Sequence, residues 1–258
     1  MLETKQITVN CEVHGLRTLT HHRLDGQWFG GETCDLCREE KITADKLAKA
    51  ERQKTMAFAS QMASTAAAIG RAGIPQKYAE KGFDHYICKG QVQQRIFDVC
   101  KGYAENFISN EKLGKSLILL GGIGTGKTHL ACAIANQVIL QHRRTALFVK
   151  AWQVMLTIKS TYSQASQTTT EQAMRKFIEP ALLIIDEVGI QAGSEAERHL
   201  MAQLIDARYD ENKPTIITAN LPIDDLASFI TPQGIDRLLE GGGQLLTFTW
   251  GSARPTLT

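Results

Sequence analysis

Four short apolar runs punctuate the C-terminal part of the chain: Leu117 to Leu120, Thr145 to Val149, Leu182 to Ile185 and Thr215 to Thr218. Each is continuous rather than alternating, the pattern of a strand covered on both faces. Stretches of helical spacing separate them, which predicts an α/β fold of three layers built on a parallel sheet. Upstream the texture changes. Eight alanines fall between Ala48 and Ala68, Thr43 offers an N-cap and Gly70 a stop, so residues 42–70 read as one helix. Phe58, Met62 and Ile69 fall at i, i+4 and i+11, a single stripe that must bury against something. At its length of about 40 Å the helix exceeds what a small domain needs for its own packing. The stripe therefore suits a partner as well as the same chain. Arg71-Ala72-Gly73-Ile74-Pro75 is a Gly/Pro break, and Ser163 to Thr170 is a polar loop. Three parts result: residues 1–41, the helix 42–70, and an α/β domain over 71–258.

Composition excludes several classes. The 258 residues carry 29 Lys+Arg against 27 Asp+Glu, a net charge of +2, with 43% apolar residues. That balance belongs to a globular protein, and any nucleic-acid contact must come from a local patch. No run approaches the ~18 apolar residues of a membrane span, and the first residues lack the apolar core of a secretory signal. The expectation is a cytoplasmic protein with no membrane contact. In a reducing compartment the six cysteines are better read as metal ligands or core thiols than as disulfides.

The decisive motif is Gly121-Gly122-Ile123-Gly124-Thr125-Gly126-Lys127-Thr128, which fits G-x-x-x-x-G-K-[ST]. A predicted strand precedes it and a helix from His129 follows. A triphosphate needs many donors at short range. The glycines let backbone N–H groups curl inward, and the helix start adds partial positive charge. Lys127 can then reach the β and γ phosphates of ATP, while the Thr128 hydroxyl ligates Mg2+. Leu182-Leu183-Ile184-Ile185-Asp186-Glu187 supplies the complement. Asp186 at the sheet edge can hold the Mg2+ shell, and Glu187 can polarise an attacking water. Asn220, just past the last apolar run, either orients water or caps the turn before Pro222.

Near the N-terminus Cys11-x-x-His14 and Cys34-x-x-Cys37 form two pairs of metal-ligand spacing. Two such bites make a closed tetrahedral zinc site. The segment has few apolar residues, so Zn2+ would supply folding free energy of about 10 kcal/mol or more. Free buried thiols, or His21 or His22 in place of His14, remain open alternatives.

Taken in order, the elements resemble the DnaC family of AAA+ helicase loaders. The resemblance runs from about Arg71 to Arg254 through AGIP, GFDHY from Gly82, the P-loop, LLIIDEVG, Arg208-Tyr209, Ala219-Asn220, GIDRL from Gly234 and FTWGSAR from Phe248. It implies a P-loop NTPase of the AAA+ type, with Asn220 as sensor 1, Arg237 as an arginine finger acting on a neighbour's ATP, and Arg254 as sensor 2. Phe83 and Tyr86 fall where the family approaches the adenine. Trp152 to Tyr162 matches an insertion that meets single-stranded DNA, making Lys159 and Tyr162 candidate contacts. The N-terminal part of such loaders docks on a hexameric replicative helicase, which gives the alanine-rich helix a partner. The zinc pairs depart from the family pattern. Few residues follow Arg254, which leaves little room for a helical lid and implies a nucleotide site completed in a homo-oligomer. The alternatives are a transposition helper ATPase of the IstB type, and a non-hydrolysing ATP-gated, zinc-dependent nucleic-acid-binding adaptor.

Overall fold

The computed structural model describes residues 3–31, 33–163, 165–190 and 193–253, with the backbone alone at residues 61, 62, 65 and 66. Arg254 lies outside the described residues. The chain divides into two compact units, residues 1–63 and 64–258.

In the first unit an antiparallel meander, β1 (Thr4–Cys11), β2 (Gly15–Leu24) and β3 (Gln27–Phe29), precedes the long helix α1 (Asp35–Arg71). Sequence reading misses these strands, because Thr, His and Arg fill the positions where an apolar run would announce them. Ile7 faces Leu19 in the ladder, and Leu19 and Cys34 are the unit's buried apolar side chains among the described residues. Helix α1 begins well before Thr43. Thr43 is no cap: its hydroxyl bonds back to the Glu39 carbonyl inside the helix. The acidic first turn, with Asp35, marks the real start. Phe58 is 64% exposed, whereas Ile69 packs on the core of the second unit. The predicted stripe is thus split, and Met62's side chain lies outside the described residues. The last two turns of α1 belong to the second unit.

That unit continues through α2 (Gln76–Ala79), α3 (Gln91–Glu105) and α4 (Phe107–Lys112), then alternates β4 (Leu117–Gly121), α5 (Lys127–His142), β5 (Ala146–Lys150), α6 (Ala151–Lys159), α7 (Thr170–Ile178) and β6 (Leu182–Val188). It closes with α8 (Glu195–Asp210), β7 (Thr215–Ala219), α9 (Ile223–Ile230), α10 (Pro232–Leu239) and β8 (Gln244–Phe248). The sheet order is β5-β6-β7-β4-β8, all parallel. Alternate residues feed two cores. Leu117, Leu119, Ile184 and Ile216 meet α3 and α5 on one face; Ile118, Leu120, Ile185 and Ile217 meet α6, α8 and α9 on the other. This is the expected three-layer α/β fold. Strand β8 is an addition: only Leu246 and Phe248 are buried in it, too few for an apolar run to show in the sequence.

Arg208 staples the layer beneath. It is 1% exposed and donates to the carbonyls of Phe177, Ile178, Pro180 and Pro214 and to the Thr215 hydroxyl. Burial pulls its pKa down to about 9, so it stays charged at neutral pH.

Candidate nucleotide and metal sites

Strand β4 sits between β7 and β8, so its C-terminal end lies at the sheet's C-terminal edge, one strand from the end of the sheet. Ligands of open parallel sheets bind there. The P-loop turns back over that end with Gly121, Gly124 and Gly126 all at positive φ. Gly126 forms the entry to α5, whose first residue is Lys127. Lys127 is 6% exposed, and its ammonium donates to the Gly121 and Gly122 carbonyls at 2.7 and 2.8 Å.

Asp186 and Thr128 come together as expected, the hydroxyl donating to Oδ1 at 2.9 Å. Thr218, on the neighbouring strand β7, donates to the same oxygen at 2.6 Å. Burial raises the Asp186 pKa, and the two hydroxyls oppose that rise. The oxygen donors of Thr128 and Asp186 are hard ligands that fit Mg2+. A register shift in the β6–β7 pairing between Ile185 and Val188 places Glu187 at φ 59°. The irregularity turns Glu187 away from its buried neighbour. Its amide donates to Thr218 Oγ1 at 3.1 Å, and its carboxylate pairs with Lys150 Nζ at 2.7 Å. Asn220 follows the end of β7 and is exposed.

Beside the P-loop opens a cleft of about 750 Å³ lined by Tyr86, Ile87, Val92, Gly126, His129 and Trp250 among others. Tyr86 and His129 meet edge to face at 5.4 Å, and burial lowers the His129 pKa, favouring the neutral ring. Burial pushes the Tyr86 phenol up to about 12, so it remains a donor. Phe83 differs from its neighbour. It is 8% exposed, packs edge-on against Phe97 and belongs to the core behind the cleft, not to its lining.

Arg237, on α10, pairs with Asp206 on α8 and lies over the Tyr209 ring at 5.5 Å. On α6, Lys159 pairs with Glu197 at 2.7 Å, while Tyr162 just beyond it is 61% exposed. Four residues close to the nucleotide site escaped sequence reasoning. Thr218 and Lys150 reach the site through sheet register, and Trp250 and Ala253 through the chain after β8. The first two carry no local signal; the last two lie in the FTWGSAR stretch of the resemblance, which attached no role to either.

In the first unit the β1–β2 turn and the start of α1 bring Cys11, His14, Cys34 and Cys37 together, their ligand atoms all within 4.8 Å of one another. Cys11 and Cys37 sulfurs lie 3.5 Å apart. His14 Nδ1 is 3.7, 3.8 and 3.2 Å from the sulfurs of Cys11, Cys34 and Cys37. A tetrahedron with Zn–S near 2.3 Å and Zn–N near 2.0 Å has edges of about 3.5 to 3.8 Å, so the donor set fits zinc. The His14 amide, then the Val13 amide and the His14 ring, hold the Cys11 thiol down to about 6, the thiolate state a metal needs. Hydrogen bonding to Cys11 pushes Cys37 up to about 11. Glu40 faces the other ring nitrogen of His14 at 3.3 Å. Neither His21 nor His22 joins this group among the described residues.

A family model described as IstB-like ATP binding protein matches residues 45–238. The chain belongs to this family. The matched stretch begins after the Cys/His cluster. The replicative helicase loader DnaC of Buchnera aphidicola (subsp. Acyrthosiphon pisum) is 36% identical over 186 residues, covering 72% of this chain and 74% of the relative. DnaC of Escherichia coli K12 is 29% identical over 190 residues, covering 74% and 76%. The crystal structure of the DnaC helicase loader superposes with a TM-score of 0.60 at 25% identity, covering 67% of this chain and 99% of that one. That of DnaI gives 0.59 at 18% identity over 72% and 99%, a likeness of fold. No helix among the described residues is long and apolar enough to cross a membrane.

Proposed function

We propose that this chain is an ATP-hydrolysing loader that grips a hexameric replicative DNA helicase and helps set it on single-stranded DNA in the cytoplasm. The observation that carries this reading is a glycine-rich loop with Thr128 and Asp186 brought together beside it, on a chain 36% identical to a replicative helicase loader. The chemistry of hydrolysis follows from the side chains. Lys127 exchanges its carbonyl partners for the β and γ phosphates of the substrate. Thr128 and Asp186 would hold Mg2+, which when bound would neutralise charge developing on the phosphates. Glu187, once it leaves Lys150, accepts a proton from the attacking water, and Asn220 orients that water.

Arg237 of a neighbouring copy and Arg254 are the proposed cationic contacts to the γ phosphate. For Arg237 this requires it to leave Asp206 and Tyr209, which makes the active state a homo-oligomer. Cys11, His14, Cys34 and Cys37 are proposed to hold a structural zinc ion that ties the β1–β2 turn to α1. The N-terminal part is the proposed helicase grip. Tyr162, and Lys159 on release from Glu197, are the proposed single-stranded DNA contacts.

The family description supports a second reading, a transposition helper of the IstB type. Capture of purified replicative helicase against purified transposase separates the two. Phosphate release measured with and without single-stranded DNA tests the enzyme: stimulated turnover supports the loader, and tight ATP binding without turnover would favour a non-hydrolysing adaptor.

A further inference from the structure

The P-loop is held from outside as well as from within. The Thr125 carbonyl accepts two hydrogen bonds, from the Trp250 indole Nε1 at 2.9 Å and from the Tyr86 hydroxyl at 3.2 Å. One residue earlier, the Gly124 carbonyl accepts the Ala253 amide at 3.0 Å. Trp250 and Ala253 lie in the segment after β8, whereas Tyr86 lies before α3. Two separate parts of the chain therefore converge on adjacent peptide units of one loop. The approach is close: a Cβ added at Gly126 would meet the Tyr86 ring at 2.6 Å, and one added at Gly124 would meet the Ser252 hydroxyl at 2.2 Å.

The peptide group makes this more than packing. In a planar trans unit the C=O and the following N–H point in opposite directions, and no cis peptide bond occurs among the described residues. A carbonyl fixed outward thus fixes the next amide inward. Anchoring Thr125 O orients the Gly126 N–H, and anchoring Gly124 O orients the Thr125 N–H. Both amides belong to the loop that must present N–H groups to phosphate.

We infer that Tyr86, Trp250 and the Ala253 amide form an outer clamp that presets the Thr125 and Gly126 amides for phosphate. Tyr86 and Trp250 are then positioning residues, acting on phosphate through the backbone rather than by touching it. This deepens the ATP reading and rests on it. An oriented amide costs no reorganisation when the anion arrives, which is where the clamp contributes affinity.

The test uses the full chain with two probes, MgATP and magnesium tripolyphosphate, the second carrying phosphates but no base. Trp250→Phe and Tyr86→Phe each keep a ring and remove a donor. Each should weaken both probes by about fivefold, the scale of one net hydrogen bond. The double variant should weaken both by twentyfold or more. Ala253→Pro removes the amide at an exposed position and should weaken both probes likewise, giving a second arm should an aromatic variant fail to fold. Weakened MgATP with unchanged tripolyphosphate would overturn the clamp, leaving the rings as base contacts only, and unchanged binding of both probes would also overturn it. Failure of the unaltered chain to bind MgATP is a distinct result that removes the ATP reading itself.

Discussion

Two side chains a strand apart divide the work of the nucleotide site. Lys127 is buried at the loop and has no substitute for its compact charge, so Lys127→Ala should lower MgATP affinity at least tenfold in equilibrium titration. Glu187 is half exposed beside Lys150, apart from Thr128 and Asp186, the proposed magnesium ligands. Glu187→Gln should bind MgATP within about threefold of the unaltered chain yet lose nearly all phosphate release. Equal loss of binding in both would mean that the roles are misassigned. The motif residues were legible in the sequence because phosphate chemistry dictates both their type and their spacing. Thr218 was not, although its hydroxyl fixes Asp186 and receives the Glu187 amide, since that contact exists only once β7 lies beside β6 in register. The contact made by Arg237 was equally hidden: its Asp206 partner lies on another helix, beyond the reach of i,i+4 reasoning.

At the scale of elements, strands β4 to β7 stood out because burial on both faces leaves a continuous apolar run, β5 included although it lies at an edge of the sheet. Strands β1 to β3 and β8 did not, since each buries at most two side chains and so needs no continuous apolar run. Helix α1 was legible in kind but not in extent. Its Thr43 looked like a start, while the true start lies at Asp35, within the Cys/His cluster that the spacing had singled out as a separate part. That overlap makes a specific metal prediction. Elemental analysis of protein purified without chelator should find one zinc per chain, and His14→Ala or Cys37→Ser should lower this to near zero while His21→Ala leaves it unchanged. Chelation should disturb residues 1–63 and leave MgATP binding to the second unit intact. Retained zinc in the His14 and Cys37 variants would refute the ligand set. Any truncation meant to isolate the nucleotide domain should begin at Ser64, because Ala68 and Ile69 pack into its core.

For the molecule as a whole, the proposed function needs more than one chain. The Arg237 and Asp206 side chains are both partly exposed, so releasing the pair costs less than about 1 kcal/mol, little enough for a neighbour's phosphate to compete. Arg237→Ala should therefore bind MgATP normally but hydrolyse it at a small fraction of the unaltered rate, arginine fingers being worth about 10³ or more. Mixed with Glu187→Gln it should recover part of that rate, since one kind of interface then pairs an intact Glu187 with an intact Arg237. Turnover per chain that stays constant on dilution, with no recovery in the mixture, would contradict the shared site. The central claim, that this ATPase loads a replicative helicase, is tested most directly by mixing the purified full chain with the purified hexameric helicase and MgATP and measuring the mass of the product. The account predicts a discrete complex heavier than the hexamer by several 28.5 kDa chains, lost when residues 1–63 are removed. Chain and helicase recovered as separate species under all nucleotide conditions would contradict it.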